Sequence, residues 1–329
     1  MKSRWMVVAS GLLCLAACES TAVTDATDPV LNEAVGRLFP ADNWWNRDIS
    51  QAPVDPDSDA LIDWICDRTA SGSACDAELH PDFGPHPYGI PYIGVGEDQP
   101  LEVVDFVLYG SESDAGATGR PEGYPIPVRA RGEEGWIEGG VAGGGDSGDR
   151  HLIVVDRDRW LLFELWATRW NPSRGAWEAG SGAVFDLSSN DRRPEGWTSA
   201  DAAGLAVLPG LIKAHEVESG DDIRHAFRVT TRATNGHVWP ASHTAGSTSG
   251  APPLGARLRL KASFDESGFP DEVQRIFVAM KRYGLIIADN GSDMFVQGTM
   301  DDRWDNSVLN PAFHALTADD FEVIELGWR

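Results

Sequence analysis

The chain has few basic residues and few cysteines, and each shortage argues against a class of function. Lysine and arginine total 27 against 51 aspartates and glutamates, so the net charge is −24. Such a surface repels phosphate backbones, which disfavours nucleic acid as a partner, and no polybasic patch is present to hold the chain on a membrane. The four cysteines lack the paired spacing of a structural zinc site.

Short motifs that would identify a reaction are also missing. No glycine cluster is followed by Lys-Ser or Lys-Thr, which excludes a P-loop, and no Gly-x-Ser-x-Gly elbow occurs. Residues 145–148 match the nucleophile segment of trypsin-like proteases over only four positions, and no histidine-bearing partner motif precedes them. The function must therefore be sought in the arrangement of individual side chains.

The N-terminus carries the clearest signal in the chain. Lys2 and Arg4 precede an apolar run over residues 5–15, which is far shorter than the roughly 20 residues of a membrane-spanning helix. Leu-Ala-Ala directly before Cys18 resembles the bacterial lipoprotein signal. This resemblance implies that residues 1–17 are removed and that Cys18 is acylated. Glu19 after the cysteine favours the outer membrane, so we expect a lipid-anchored envelope or extracellular protein that contacts the membrane through its lipid only.

The remaining sequence predicts one domain on a tether. Residues 19–35 are rich in Ala, Thr, Asp and Glu, so we assign 18–38 to the acylated cysteine and a flexible tether, and 39–329 to a single β-rich domain. We expect a monomer. Cys66 and Cys75 are separated by eight residues, and in an oxidising compartment they are predicted to form a disulfide.

Short apolar runs between Gly, Pro and Asp predict a mainly β fold, a two-sheet sandwich or jelly roll with two peripheral helices. The helices are predicted at about 56–68 and at Asp271–Tyr283, where apolar residues recur three and four apart. The predicted strands cover 90–95, 102–109, 126–130, 151–155, 160–166, 183–187, 211–217, 223–231, 256–262, 284–288, 294–297 and 321–326. Asn290-Gly291 is interpreted as a hairpin turn between two of them.

Thirteen tryptophans in a surface-anchored protein favour stacking on sugar rings. In the strand over 160–166, alternation places Glu164 and Trp166 on one face, a carboxylate beside a stacking ring. Asp289 follows an apolar run, where a strand end can face a cleft. We therefore predict polysaccharide as the ligand and glycan cleavage as the function. A non-catalytic glycan-binding or envelope scaffold lipoprotein is the alternative.

Two reactions remain open at this stage. Hydrolysis needs two carboxylates, for which Glu164 and Asp289 are the candidates and Asp186 is a reserve. A uronate lyase would use His225 or Tyr283 as base, with an arginine on the substrate carboxylate. The predicted catalytic residues are Glu164, Asp289, His151 and His225. The predicted substrate-binding residues are Trp166, Arg150, Arg224, Trp239, His243 and Trp304.

A metal-dependent hydrolase is a weaker hypothesis. It would draw its ligands from His80, His86, His237 or His243, but no acidic partner stands at a recognisable spacing, and no metal site is predicted. No cofactor is predicted, and calcium is left open. Asp55, Asp57 and Asp59 alternate as in a calcium loop but lack its glycine and closing glutamate.

Several segments together resemble a family of secreted bacterial proteins whose activity is uncharacterised. The resemblance implies one continuous domain over most of 39–326 and assigns no reaction and no site. It rests on residues 147–151, 180–190, 193–205, 257–268 and 283–292.

Overall fold

The computed structural model describes residues 29–68, 73–114 and 121–329. The predicted signal and Cys18 lie outside these residues. Within them, no helix combines the length and the apolar character needed to cross a membrane. Strands predominate over helices, which confirms the predicted mainly β class.

The β-strands are β1 (Val30–Leu31), β2 (His80–Gly84), β3 (Tyr92–Val95), β4 (Val104–Phe106), β5 (Leu152–Asp156), β6 (Leu161–Trp166), β7 (Arg169–Asn171), β8 (Ala176–Ala179), β9 (Ser181–Asp186), β10 (Phe227–Thr231), β11 (Arg257–Leu260), β12 (Leu285–Asn290), β13 (Phe295–Met300) and β14 (Phe321–Val323). The α-helices are α1 (Ser58–Ile65), α2 (Ala214–Glu218), α3 (Asp271–Arg282) and α4 (Asn306–Phe313).

Three sheets organise the described residues. The large sheet has the strand order β14-β11-β12-β10-β13-β2, the central sheet β1-β3-β5-β6-β9, and the small sheet β4-β8-β7. Each sheet mixes parallel and antiparallel pairs. The two larger sheets agree with the predicted sandwich, and the small sheet adds a layer to it.

Side-chain alternation places the central sheet between two apolar clusters. In β5, Ile153 and Val155 join the cluster shared with the large sheet, whereas Leu152 and Val154 join a second cluster that includes Trp177 of the small sheet. Residues on one face of β6, among them Glu164, therefore point toward the large sheet. This interior space holds the polar groups of the candidate site.

Helix α3 forms where the apolar spacing predicts it. Val273, Ile276, Phe277 and Met280 are buried on one face, and acidic and basic residues occupy its first and last turns, respectively. Gly284 follows with a positive φ of 76°, a conformation that favours glycine. The predicted helix at 56–68 is confirmed as α1, while α2 and α4 were not predicted.

Two predicted strands are wrong. Residues 126–130 form an extended segment and a short 3₁₀ helix, because Pro125 and Pro127 cannot donate to a strand ladder. Residues 211–217 instead contain the start of α2, where Glu216 lies within 3.4 Å of the Lys213 ammonium group, three residues earlier. A local pair of this kind suits a helical turn.

The Asn290-Gly291 turn does not close a hairpin. β10 lies between β12 and β13 and pairs in parallel with β12, so Thr230 is opposite Asp289 beyond a register shift. Asp289 therefore stands near the carboxyl ends of two parallel strands. The predicted disulfide is confirmed, since Cys66 and Cys75 are joined between α1 and β2.

Candidate functional site

A cleft of about 280 Å³ opens where the ends of β6, β9 and β12 meet the loop that follows β9. We call it the Asp289 cleft. It brings together three residues predicted from the sequence, Trp166, His243 and Asp289. Its full lining is Tyr109, Asp149, Trp166, Ser181, Thr198, Ser199, Ala200, Asp201, Ala202, His243, Ala245, Asp289 and Asn290.

Two carboxyl groups share one buried guanidinium group at the base of the cleft. Arg228 binds Asp201 through Nε (3.3 Å) and Nη2 (3.0 Å), and its Nη2 lies 3.8 Å from Oδ2 of Asp289. The side chain of Asp201 is fully buried, whereas that of Asp289 is 26% exposed. Asp289 is therefore the member of the pair that solvent and a ligand can reach.

The setting of Asp289 favours its protonated form. Burial and the neighbouring Asp201 carboxylate raise the pKa of Asp289 to about 7, although Arg228 opposes this rise. Burial also raises the pKa of Asp201, again against Arg228. A partly exposed carboxyl group that holds its proton near neutral pH has the property required of a general acid.

His151 lies behind the cleft wall. Its Nδ1 lies 2.7 Å from Glu138 and its Nε2 lies 2.9 Å from the carbonyl oxygen of Ala200. Burial opposes the charged imidazolium, but the Glu138 carboxylate outweighs it and raises the pKa of His151 to about 9. Both ring nitrogens of the charged imidazolium then donate, and the hydrogen bond from Nε2 to the Ala200 carbonyl holds the backbone next to Asp201. His151 is only 1% exposed, so its place is that of a positioning residue.

Glu164 is enclosed beneath the same wall. Its carboxylate accepts hydrogen bonds from the backbone N–H groups of Val207 (2.8 Å) and Leu208 (2.8 Å), and burial raises its pKa to about 7. The side chain has no exposed area. Glu164 thus anchors the 3₁₀ turn at Leu208–Gly210 and does not line the cleft.

Aromatic rings form the opposite side of the cleft. Trp166 lies 6.2 Å from the half-exposed ring of Tyr109, and its indole N–H donates to Asp149 (3.1 Å). A Cβ atom at Gly180 would come within 2.4 Å of the Trp166 ring. Glycine at this position therefore allows the ring to lie flat on the backbone.

His243 completes the cleft with an oriented imidazole. Its Nδ1 lies 2.8 Å from the carbonyl oxygen of Ala202, so Nδ1 carries the proton that is donated there. Its Nε2 faces Glu112 at 3.9 Å. In the neutral ring this tautomer leaves the Nε2 lone pair available as a base or hydrogen-bond acceptor.

Five predicted site residues lie elsewhere. Arg224 and His225 line a different pocket, beside α2. Trp239 packs edge-on against Trp44, and the indole N–H of Trp304 donates to the Thr299 carbonyl. Arg150 donates to the carbonyl oxygens of Gly148 and Thr168. The positions of Trp239, Trp304 and Arg150 are thus explained by contacts within the protein, and no ligand is needed to explain them.

The reserve and metal candidates are also engaged in local contacts. The Asp186 carboxylate accepts from Ser188, Tyr283 is largely buried, and His80 stacks on Phe295. His237 bridges Thr244 and Glu195, and His86 approaches the Gly140 carbonyl. In the described part of the chain, the one group of three side chains close enough to share a metal ion is Cys66, Cys75 and Asp319, and its two sulfur atoms form the disulfide.

Sequence reasoning missed Asp201, Arg228 and Glu138. Asp201 follows Trp197-Thr-Ser-Ala, and nothing in this short polar stretch marks it as buried. A charged residue inside an apolar strand run, such as Arg228, was the available signal, because such a residue needs a buried partner.

Asp289, Trp166 and His243 thus line one cleft, His151 holds the backbone of its wall at Ala200, and Glu164 is buried outside the cleft against Val207 and Leu208. No protein-family model, curated protein or solved structure matches the chain.

Proposed function

We propose that the protein is a glycan hydrolase that acts at the Asp289 cleft. The observation that carries the proposal is the partly exposed Asp289 carboxyl group, whose pKa is raised to about 7 beside Asp201 and Arg228. The aromatic side of the cleft, with Trp166 and Tyr109, offers a surface on which a sugar ring can stack.

In the proposed reaction, the Asp289 carboxyl donates its proton to the glycosidic oxygen as the C–O bond to the sugar breaks. Water supplies the new bond at the sugar carbon, and Asp149 or the Nε2 atom of His243 takes the proton that this water loses. Both groups line the cleft. Asp201 and Arg228 do not touch the substrate, and they set the protonation of Asp289.

The charge of the cleft favours hydrolysis over uronate elimination. A uronate lyase needs a cation that neutralises the substrate carboxylate. In the described residues the lining of the cleft includes Asp149 and Asp289 and no lysine or arginine, and the guanidinium group of Arg228 is buried behind it. Neutral or amine-bearing glycans are therefore the expected substrates.

The test is a comparison of the purified chain with its Asp289→Asn variant on neutral, amino-sugar and uronate polysaccharides, followed by new reducing ends. We expect cleavage of a neutral or amino-sugar glycan, and a loss of at least 100-fold in Asp289→Asn with glycan binding retained. Asp186→Asn is the matched control, because it removes a half-buried carboxyl group outside the cleft.

Three other results would change the proposal. Binding without cleavage would replace hydrolysis by the non-catalytic alternative, and in that case Trp166→Ala should reduce binding. Unsaturated products from a uronate polymer would replace hydrolysis by elimination. An active Asp289→Asn variant would remove Asp289 from the mechanism.

We also propose that Cys18 carries the lipid that holds the domain at the cell envelope. The support is the Leu-Ala-Ala-Cys signal. The predicted tether ends before residue 38, because Val30–Leu31 pair with β3 and Leu38 is buried, so only the residues between Cys18 and β1 would link the lipid to the domain. Mass spectrometry of the N-terminal peptide should find an acylated cysteine, and Cys18→Ser should release the protein from the membrane fraction. An unmodified Cys18 would contradict the anchor without affecting the proposal for the cleft.

A further inference from the structure

A second cavity of about 280 Å³ lies beside α2 and shares no lining residue with the Asp289 cleft. We call it the Lys213 pocket. Its walls include Arg37 from the segment before the first buried tryptophans, His215 and Glu216 from α2, and Arg224 from the loop before β10. Its chemistry is distinct from that of the cleft, because lysine and arginine side chains line it beside carboxylates, whereas the described lining of the cleft has neither cation.

Two arginines at this pocket lack protein partners. Among the described residues, neither Arg37 nor Arg224 forms a hydrogen bond or an ion pair, and both are exposed. Arginines elsewhere in this acidic chain are commonly paired with carboxylates, as Arg228 and Arg303 are. Both guanidinium groups belong to residues that line the same cavity, so one ligand can meet both.

The floor of the pocket adds a buried ammonium group. The side chain of Lys213 is 3% exposed, and its Nζ donates to the Leu211 carbonyl (3.1 Å) and lies 3.4 Å from Glu216. Glu216 also accepts a hydrogen bond of 3.0 Å from His225. The half-buried Glu216 carboxylate is thus shared between two donors, and its negative charge is largely offset.

A third group points to a ligand. The Nε2 atom of His215 is buried and has no hydrogen-bond partner among the described residues, although His215 lines the pocket. A buried ring nitrogen without a partner is unfavourable, and a ligand oxygen would satisfy it. His225 cannot take this role, because Glu216 and the Ala226 carbonyl occupy its two nitrogens.

From these contacts we infer that the Lys213 pocket binds a small molecule through a carboxylate or phosphate group. Arg37 and Arg224 would hold the oxyanion from the rim, in the bidentate manner that suits guanidinium groups, and His215 would donate to it from within. Asp221 and Asp222 also line the rim and are exposed. Their charge opposes any anion at the rim, and the cavity of about 280 Å³ limits the ligand to a small molecule.

The experiment is calorimetric titration of the purified full chain in detergent micelles with inorganic phosphate, glucuronate and glucose. We expect one of the two anions to bind and glucose not to bind. Arg224→Gln and Arg37→Gln should each weaken the anion at least tenfold, whereas Arg329→Gln, with the same change of charge outside the pocket, should not. Asp289→Asn should bind the anion as the unaltered chain does, which separates this pocket from the cleft.

Preference between the probes identifies the source of the ligand group. Tighter phosphate binding would indicate a phosphorylated ligand, and tighter glucuronate binding an acidic sugar. An Asp221→Asn, Asp222→Asn double variant should bind the anion more tightly. Absence of binding by both anions, or arginine variants that bind like the unaltered chain, would overturn the inference.

Discussion

At the scale of single residues, the proposed catalytic role of Asp289 comes with a predicted penalty in stability. Its pKa is about 7 in the folded chain against an ordinary value of 3.8, so the folded state holds this proton more tightly than the unfolded state does. The contribution of Asp289 to stability therefore falls as the pH rises from about 4 to about 7, and the penalty persists at higher pH.

We predict that Asp289→Asn is more stable than the unaltered chain at pH 8 by about 1–3 kcal/mol, and that this advantage shrinks at pH 5. The neutral amide cannot acquire the charge that burial and Asp201 oppose. Urea unfolding of both proteins at the two pH values measures the difference. Equal differences at pH 5 and pH 8 would contradict the assigned protonation.

The His151–Glu138 pair gives a second prediction, with its own pH window. Because the pKa of His151 is raised to about 9, the pair contributes fully below about pH 6.5 and its contribution is lost as the pH rises through 9. Glu138→Gln should lower the free energy of unfolding by roughly 3 kcal/mol near pH 6, because it leaves a buried imidazolium without its partner.

The measurement for Glu138→Gln is denaturant unfolding at pH 6 and pH 9, with nuclear magnetic resonance titration of His151 in the folded protein. The unaltered chain should become less stable between pH 6 and pH 9, whereas Glu138→Gln should not. The pKa of His151 should be lower in the variant than in the unaltered chain. Glu133→Gln is the control, since it removes a surface partner of Arg129. A pKa of His151 that is the same in both proteins would show that Glu138 is not the cause.

At the scale of elements, the periodicity of apolar residues predicted the structural features that depend on residues close in sequence. It missed the features that depend on contacts between distant segments. Helix α3 and the alternation that places Glu164 and Trp166 on one face of β6 follow from local spacing. Glu164 is covered by Leu208 and its neighbour, which lie more than 40 residues away along the chain, whereas Trp166 stays at a cleft. No local pattern distinguishes the two environments.

The disulfide supports one element rather than the site. Cys66 and Cys75 close a short loop after α1, and α1 is also held by Arg232, whose guanidinium group stacks 3.9 Å above the Trp64 ring. We predict that the Cys66→Ser, Cys75→Ser double variant loses about 2 kcal/mol of unfolding free energy, as expected for a short loop, and keeps the proposed glycan cleavage. Thermal unfolding and reducing-end release measure the two effects; a loss of cleavage in a folded variant would link this region to the cleft.

At the scale of the whole molecule, the mainly β class follows from composition and turn spacing, whereas the buried polar layer does not. Glu138, His151, Asp201, Arg228 and Asp289 come from five separate segments between two sheets. Of these, the sequence predicted His151 and Asp289 but not the other three. The proposed role of Asp289 depends on the charges of its neighbours, which only the packed sheets bring together. Its place at the end of a predicted strand therefore pointed to Asp289, whereas nothing pointed to Asp201.

Net charge gives the last prediction. The chain has 51 acidic and 27 basic residues, so the carboxylates outnumber the basic side chains that could pair with them. The repulsion between these carboxylates opposes the folded state. Raising sodium chloride from about 0.05 to 0.5 M shortens the Debye length to a few ångströms, which screens this repulsion along with the surface ion pairs. Surface pairs contribute little each, so we expect the midpoint of thermal unfolding to rise by several degrees. Potassium chloride at equal ionic strength should give the same rise; a fall in both salts would mean that pairs such as Arg303–Asp301 outweigh the repulsion.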